Sequence, residues 1–88
     1  MKTASLSKHA IIRSQQRGIP PLVIEWLLDY GYRQPARGAT RITFNRKSRK
    51  ALSKEVGKVL LAHLGRFLNV ALIVNTETDH VITVEWLH

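Results

Sequence analysis

The chain has 88 residues, 14 Lys and Arg against six Asp and Glu, a net charge of +8 and no cysteine. A chain this short buries only ~60% of the surface its unfolded form exposes, so residues 1–88 are expected to form one domain with a thin core. The missing cysteines exclude disulfide frameworks, thiolate nucleophiles and Cys-based zinc sites, and fit a cytoplasmic location. No apolar run approaches the ~20 residues of a membrane span. The start, Met1-Lys2-Thr3-Ala4, has no signal-peptide apolar stretch, so neither membrane association nor targeting is expected.

Ser7 is a good N-cap for a first helix over about residues 8–17, with Gly18 as its C′ stop. Ile11, Ile12 and Gln15 keep to one side. His9, Arg13 and Arg17 line up at i, i+4, i+8 along the other. Ile19-Pro20-Pro21 is a rigid corner, and Pro21 suits the first turn of a second helix that runs to about Tyr30 and ends at Gly31. Leu22, Val23, Trp26, Leu27 and Tyr30 recur at helical spacing. Trp26 on such a face reads as core, with base stacking as the competing role.

Tyr32 to Gly38, with Pro35 and Gly38 among basic residues, reads as a loop. Ala39 to Phe44 alternates as a half-buried strand, with Arg41 and Thr43 on one face and Ile42 and Phe44 on the other. Asn45 caps a third helix whose apolar stripe is Leu52, Val56, Leu60 and Leu64. Arg46, Lys47, Arg49, Lys50, Lys54 and Lys58 make its exposed side. Gly57 and Gly65 leave its end open, and Val59 to Ala62 reads equally as strand. Val70 to Val74 has the continuous β-rich composition of a central strand buried on both faces. A polar turn, Asn75 to His80, returns the chain into Val81 to Trp86 as a terminal hairpin, with Val81, Thr83 and Glu85 on one side and Ile82, Val84 and Trp86 on the other. The order α-α-β-α-β-β implies an α+β fold, a small antiparallel or mixed sheet with helices on one face.

Between Tyr30 and Lys54 stand eight basic residues, Arg33, Arg37, Arg41, Arg46, Lys47, Arg49, Lys50 and Lys54, and no acidic one. Such a run attracts polyanions and makes phosphate contacts, or is simply a solvated face. There is no Gly-rich phosphate loop, HExxH or nucleophile elbow, and His9, His63, His80 and His88 are scattered, so no metal or cofactor is expected. What remains is the set of groups that metal-free RNA cleavage needs: a proton acceptor, a proton donor, and cations for the pentacoordinate phosphate. His9 exchanges protons near neutrality, and Arg13, Arg17 and Arg41 offer planar donors to phosphate oxygens. Each has a plainer reading: His9 as a surface group at a helix start, Thr83 as a β-former, Glu85 as an ion-pair partner, His63 as a core or edge histidine.

The opening motif Ser7-Lys8-His9-Ala10-x-x-Arg13-x-x-Gln16-Arg17-Gly18-Ile19, followed by a short apolar helix and by the closing Val81-Ile82-Thr83-Val84, resembles the plasmid- and phage-associated family of unknown function numbered 4258. Members of that family are thought to be similar to the RelE, colicin and barnase-like group of small metal-independent ribonucleases, many of them toxins of toxin–antitoxin pairs. The resemblance implies that fold and activity, and its motif falls here on His9, Arg13, Gln16, Arg17 and Thr83. Family members often carry a basic residue soon after the closing Thr; Glu85-Trp86-Leu87-His88 stands in that place here, and His88 is its one basic group. The expected function is an endoribonuclease toxin acting on RNA. His9, Arg13, Arg41 and Thr83 would be catalytic, and Arg17, Arg46, Lys47, Arg49, Lys50 and Lys54 would hold the nucleic acid. Two other classes compete: a non-catalytic nucleic-acid-binding module, and a protein-interaction partner that turns its basic face to an acidic antitoxin.

Overall fold

A computed structural model describes residues 17–87, so the predicted first helix lies outside the described residues except for Arg17. The elements run α1 (Pro21–Tyr30), β1 (Tyr32–Ala36), β2 (Ala39–Thr43), α2 (Arg46–Val56), α3 (Lys58–Leu64), a 3-10 turn (Gly65–Leu68), β3 (Val70–Val74) and β4 (Val81–Trp86). The four strands form one antiparallel sheet in the order β1-β2-β3-β4, two hairpins joined through the helical segment. The α+β class and the placing of helices on one face hold, with one more strand than the sequence indicated.

The added strand is β1, where a loop is expected. Its register with β2 ends at Ala36↔Ala39, so Arg37-Gly38 is a two-residue hairpin loop. Both residues have positive φ, 46° and 80°, the combination of a type I′ turn that matches strand twist. Pro35 is tolerated because β1 is an edge strand, where one side of the backbone needs no partner.

α1 begins with Pro21 at its first position and buries Val23, Ile24, Trp26 and Leu27. Trp26 is 5% exposed, a core residue, while Leu22 turns outward and Ile24 inward. These side chains meet Ile42, Phe44, Leu52, Leu68, Val70, Leu72, Val74, Val81 and Val84 in a single cluster, so every described helical element packs on the same face of the sheet.

Two predicted stripes shift for local reasons. Gly57 sits at φ 84°, a left-handed region open to glycine at little cost, and ends α2. The restart as α3 changes the helical phase. Leu61 and Leu64 pack against the core and Leu60 is exposed. In β4 the register slips from Ile73↔Thr83 to Val74↔Val81. The β3 register passes over Ile82, whose side chain turns outward, and Val81 joins Val84 in the core instead of sharing the side of Thr83 and Glu85. The Asn75 to His80 turn is held by the Asn75 side chain, which accepts from the amides of Glu77 and Thr78 at 2.9 and 3.1 Å. His63 is exposed rather than core, its Nδ1 3.0 Å from the carbonyl of Val59.

Candidate active site on the outer sheet face

Directly paired residues of antiparallel strands project to the same side of the sheet. The pairs Gln34↔Arg41, Arg41↔Ile73 and Ile73↔Thr83 therefore set Arg41 and Thr83 in one row, two strand spacings or about 10 Å apart. The row beside it on the same face is Tyr32, Thr43, Ala71 and Glu85. The opposite face is the one that meets the helices through Ile42, Leu72 and Val84. No described helix covers the Arg41 row.

This face is polar, with a low centre. Ala71 is fully buried between the half-buried Thr43 and Glu85, while Arg41, Ile73 and Thr83 are half-buried and Tyr32 is 47% exposed. Long side chains thus rim a floor of short ones. Among the described residues the side chains of Arg41, Thr83 and Glu85 form no hydrogen bond or ion pair, so the ion-pair role expected of Glu85 has no partner there. A guanidinium, a hydroxyl and a carboxylate consequently face one shallow surface with their donors and acceptors unspent. That set can bind a phosphodiester oxygen and accept a proton.

The cations expected to grip nucleic acid stand elsewhere. α2 starts with a capping box in which the Ser48 amide donates to Asn45 Oδ1 and the Asn45 amide donates to Ser48 Oγ, both at 2.8 Å. The cap fixes the helix while Ser48 and Leu52 anchor it, so Arg46, Lys47, Arg49, Lys50 and Lys54 are all exposed. α2 belongs to the helical layer, which places its cations across the sheet from Arg41 and Thr83. Tyr32 joins the two regions: it lies in the outer row, and it also lines a 240 Å³ depression with Tyr30, Asn45 and Lys47 at the start of α2.

Arg33, one of the eight basic residues of the run, serves the fold. Its Nη1 and Nη2 donate to Asp79 at 2.7 and 3.1 Å, and Nη2 also donates to the carbonyl of Leu28 at 3.0 Å. Arg17 is not in the Arg41 row. Its carbonyl accepts from the indole N–H of Trp86 at 2.8 Å, and Trp86 packs toward the helical layer. His9 and Arg13, together with Gln16 and His88, lie outside the described residues. Tyr32 and Gln34 were not singled out from the sequence, because Pro35 and the surrounding charges hide the alternation of β1; the signal that could have found them is Gly38 as the second residue of a two-residue turn. Among the described residues no group of three His, Asp or Glu side chains is arranged to hold a metal ion, and no described helix is long and apolar enough to cross a membrane. The chain matches no protein-family model, no curated protein and no solved structure.

Proposed function

We propose that the protein is a small endoribonuclease, the toxin of a toxin–antitoxin pair, that cleaves RNA by acid–base chemistry on the outer face of its sheet. The observation that carries this reading is the shared row of Arg41 and Thr83, bordered by the carboxylate of Glu85, which has no ion-pair partner among the described residues, on a face no described helix covers. The resemblance of the opening and closing motifs to family 4258 points the same way. Arg41 binds the non-bridging phosphate oxygens through its planar donors, and Thr83 adds a hydroxyl donor. A base takes the 2′-hydroxyl proton as that oxygen attacks phosphorus, the bond to the 5′-oxygen breaks, and an acid protonates the departing 5′-oxygen. Glu85 and His9 are the residues assigned to these two transfers. The cations of α2 hold flanking phosphates.

The test is incubation of the purified chain with single-stranded RNA in the presence of a chelator, alongside Arg41→Ala, Thr83→Val, Glu85→Gln and His9→Ala. Cleavage that each of these substitutions reduces supports the assignment. RNA left intact by the wild-type protein at every concentration, with no growth arrest on expression, removes it. The exposed cations of α2 favour a second reading, a non-catalytic RNA-binding module, which predicts tight, salt-sensitive binding with the RNA uncut.

A further inference from the structure

Away from the outer face, Arg17, Gly18, Arg66, Phe67 and Trp86 line an open cleft of about 380 Å³ at the end of β4. None of these residues is acidic. The Arg66 guanidinium carbon lies 4.6 Å from the centroid of the Phe67 ring. That ring is 5.8 Å from Trp86, tilted by 38°, and the Trp86 indole is fixed by its hydrogen bond to the Arg17 carbonyl. Gly18 adds no side chain, and nothing lies within 4 Å of where its Cβ would stand. Arg17 and the ring-stacked guanidinium of Arg66 thus line, with two aromatic rings, a space large enough for a small ligand, since such clefts begin at ~300 Å³.

We infer that this cleft is a second nucleotide site for single-stranded RNA, holding a phosphate between Arg17 and Arg66 and a base against the Trp86 and Phe67 rings. Cations that track the backbone beside aromatic platforms are what single-stranded nucleic acid needs, because every unpaired base offers a π-face and every nucleotide a phosphate. Duplex is refused, since its bases are already stacked. The two tryptophans differ in the same sense: Trp26 is 5% exposed inside the core, whereas Trp86 keeps part of its surface toward the cleft. Among the described strands β4 stands last in the sheet order, and Thr83 and Trp86 lie three residues apart on opposite faces of it, ~10 Å along the strand. An RNA strand passing over β4 places one phosphate in the Arg41 row and a neighbouring nucleotide in the cleft. The inference rests on RNA being the ligand, and it adds a specificity subsite to the proposed cleavage face.

Titration with a single-stranded oligoadenylate, followed by tryptophan fluorescence, tests it. The expected result is quenching of the wild-type protein that Trp86→Phe abolishes, because the remaining Trp26 is buried. Arg66→Ala, at an exposed position, is expected to weaken binding by about tenfold and to leave the melting curve in place. The same sequence as a duplex quenches far less. Binding of a dye-labelled oligoadenylate, followed by anisotropy, that is unchanged in Arg66→Ala and Trp86→Phe but weakened by substitutions in α2 overturns the cleft and leaves the RNA reading standing. No binding by the wild-type protein overturns both. Equal quenching by polyglutamate marks a general anion or protein-contact surface and overturns the nucleotide assignment.

Discussion

Gly31 shows how little room one residue has in this fold. Its φ of −66° is open to any amino acid, so the constraint is contact: a Cβ there would run into Ile42 Cγ2 and the carbonyl oxygen of Leu27. That carbonyl also accepts the Gly31 amide at 2.8 Å, so the obstacle is fixed backbone. Gly31→Ala must shift Ile42, a fully buried core side chain, or open the end of α1. It is expected to cost about 1–3 kcal/mol, read as a lower urea midpoint with an unchanged m-value. The outer face permits cleaner substitutions. Thr83→Val keeps shape and β-propensity while removing the hydroxyl, so stability stays near wild type and cleavage falls. Arg41→Lys keeps the charge but loses the planar pair of donors. Its single-turnover cleavage rate is expected to drop by about 100-fold, the loss seen when one donor to a developing oxyanion is removed; a rate within a factor of about two of wild type would show that Arg41 acts only as a charge.

Among the elements, α2 depends most on its cap. Its first turn holds Arg46 and Lys47 and no acidic residue, which opposes the helix dipole, so the reciprocal Asn45 and Ser48 bonds supply what charge does not. Asn45→Ala is expected to cost about 1 kcal/mol and, in a domain of this size, to lower the melting temperature by about 4–8 °C; calorimetry checks it. The cap was legible in the sequence because capping is local, and so were the Pro21 start of α1, the burial of Trp26 and the apolar run of β3. Features decided by distant partners were not. β1 is a strand only because β2 pairs with it, and Ile82 faces outward only because the β3–β4 register slips beside it. Gly57 was visible as an interruption, but the side chains that would pack after it followed from its φ of 84° and not from composition. The candidate site divides along the same line. Alternation placed Arg41 on the polar side of β2 and Thr83 beside Glu85 in β4, whereas their alignment through Ile73 required the register of β3.

At the scale of the whole molecule, charge is sorted by surface. Glu25, Asp29 and Glu55 line one depression with Trp26 and Tyr30, the single ion pair among the described residues joins Arg33 to Asp79, and the α2 cations stay exposed on the helical layer, across the sheet from the Arg41 row. On the proposed function, the sheet separates a surface expected to bind phosphate by charge alone from a surface expected to act on it. Binding and turnover are expected to come apart under mutation. Replacing Lys50 and Lys54 with Gln removes charge from exposed positions without touching the outer face. For single-stranded RNA, each lost phosphate contact reduces the slope of log affinity against log salt concentration by about 0.7, for all sequences alike. Because those contacts persist equally in the substrate and transition-state complexes, the double variant raises KM and recovers the wild-type kcat at saturating RNA. Arg41→Ala behaves in the opposite way, with a small change in salt slope and a kcat that no RNA concentration restores. Steady-state cleavage measured across a salt series separates the two patterns. If the α2 variant loses kcat as severely as Arg41→Ala, the helix takes part in the chemistry, and the division of labour across the sheet is wrong.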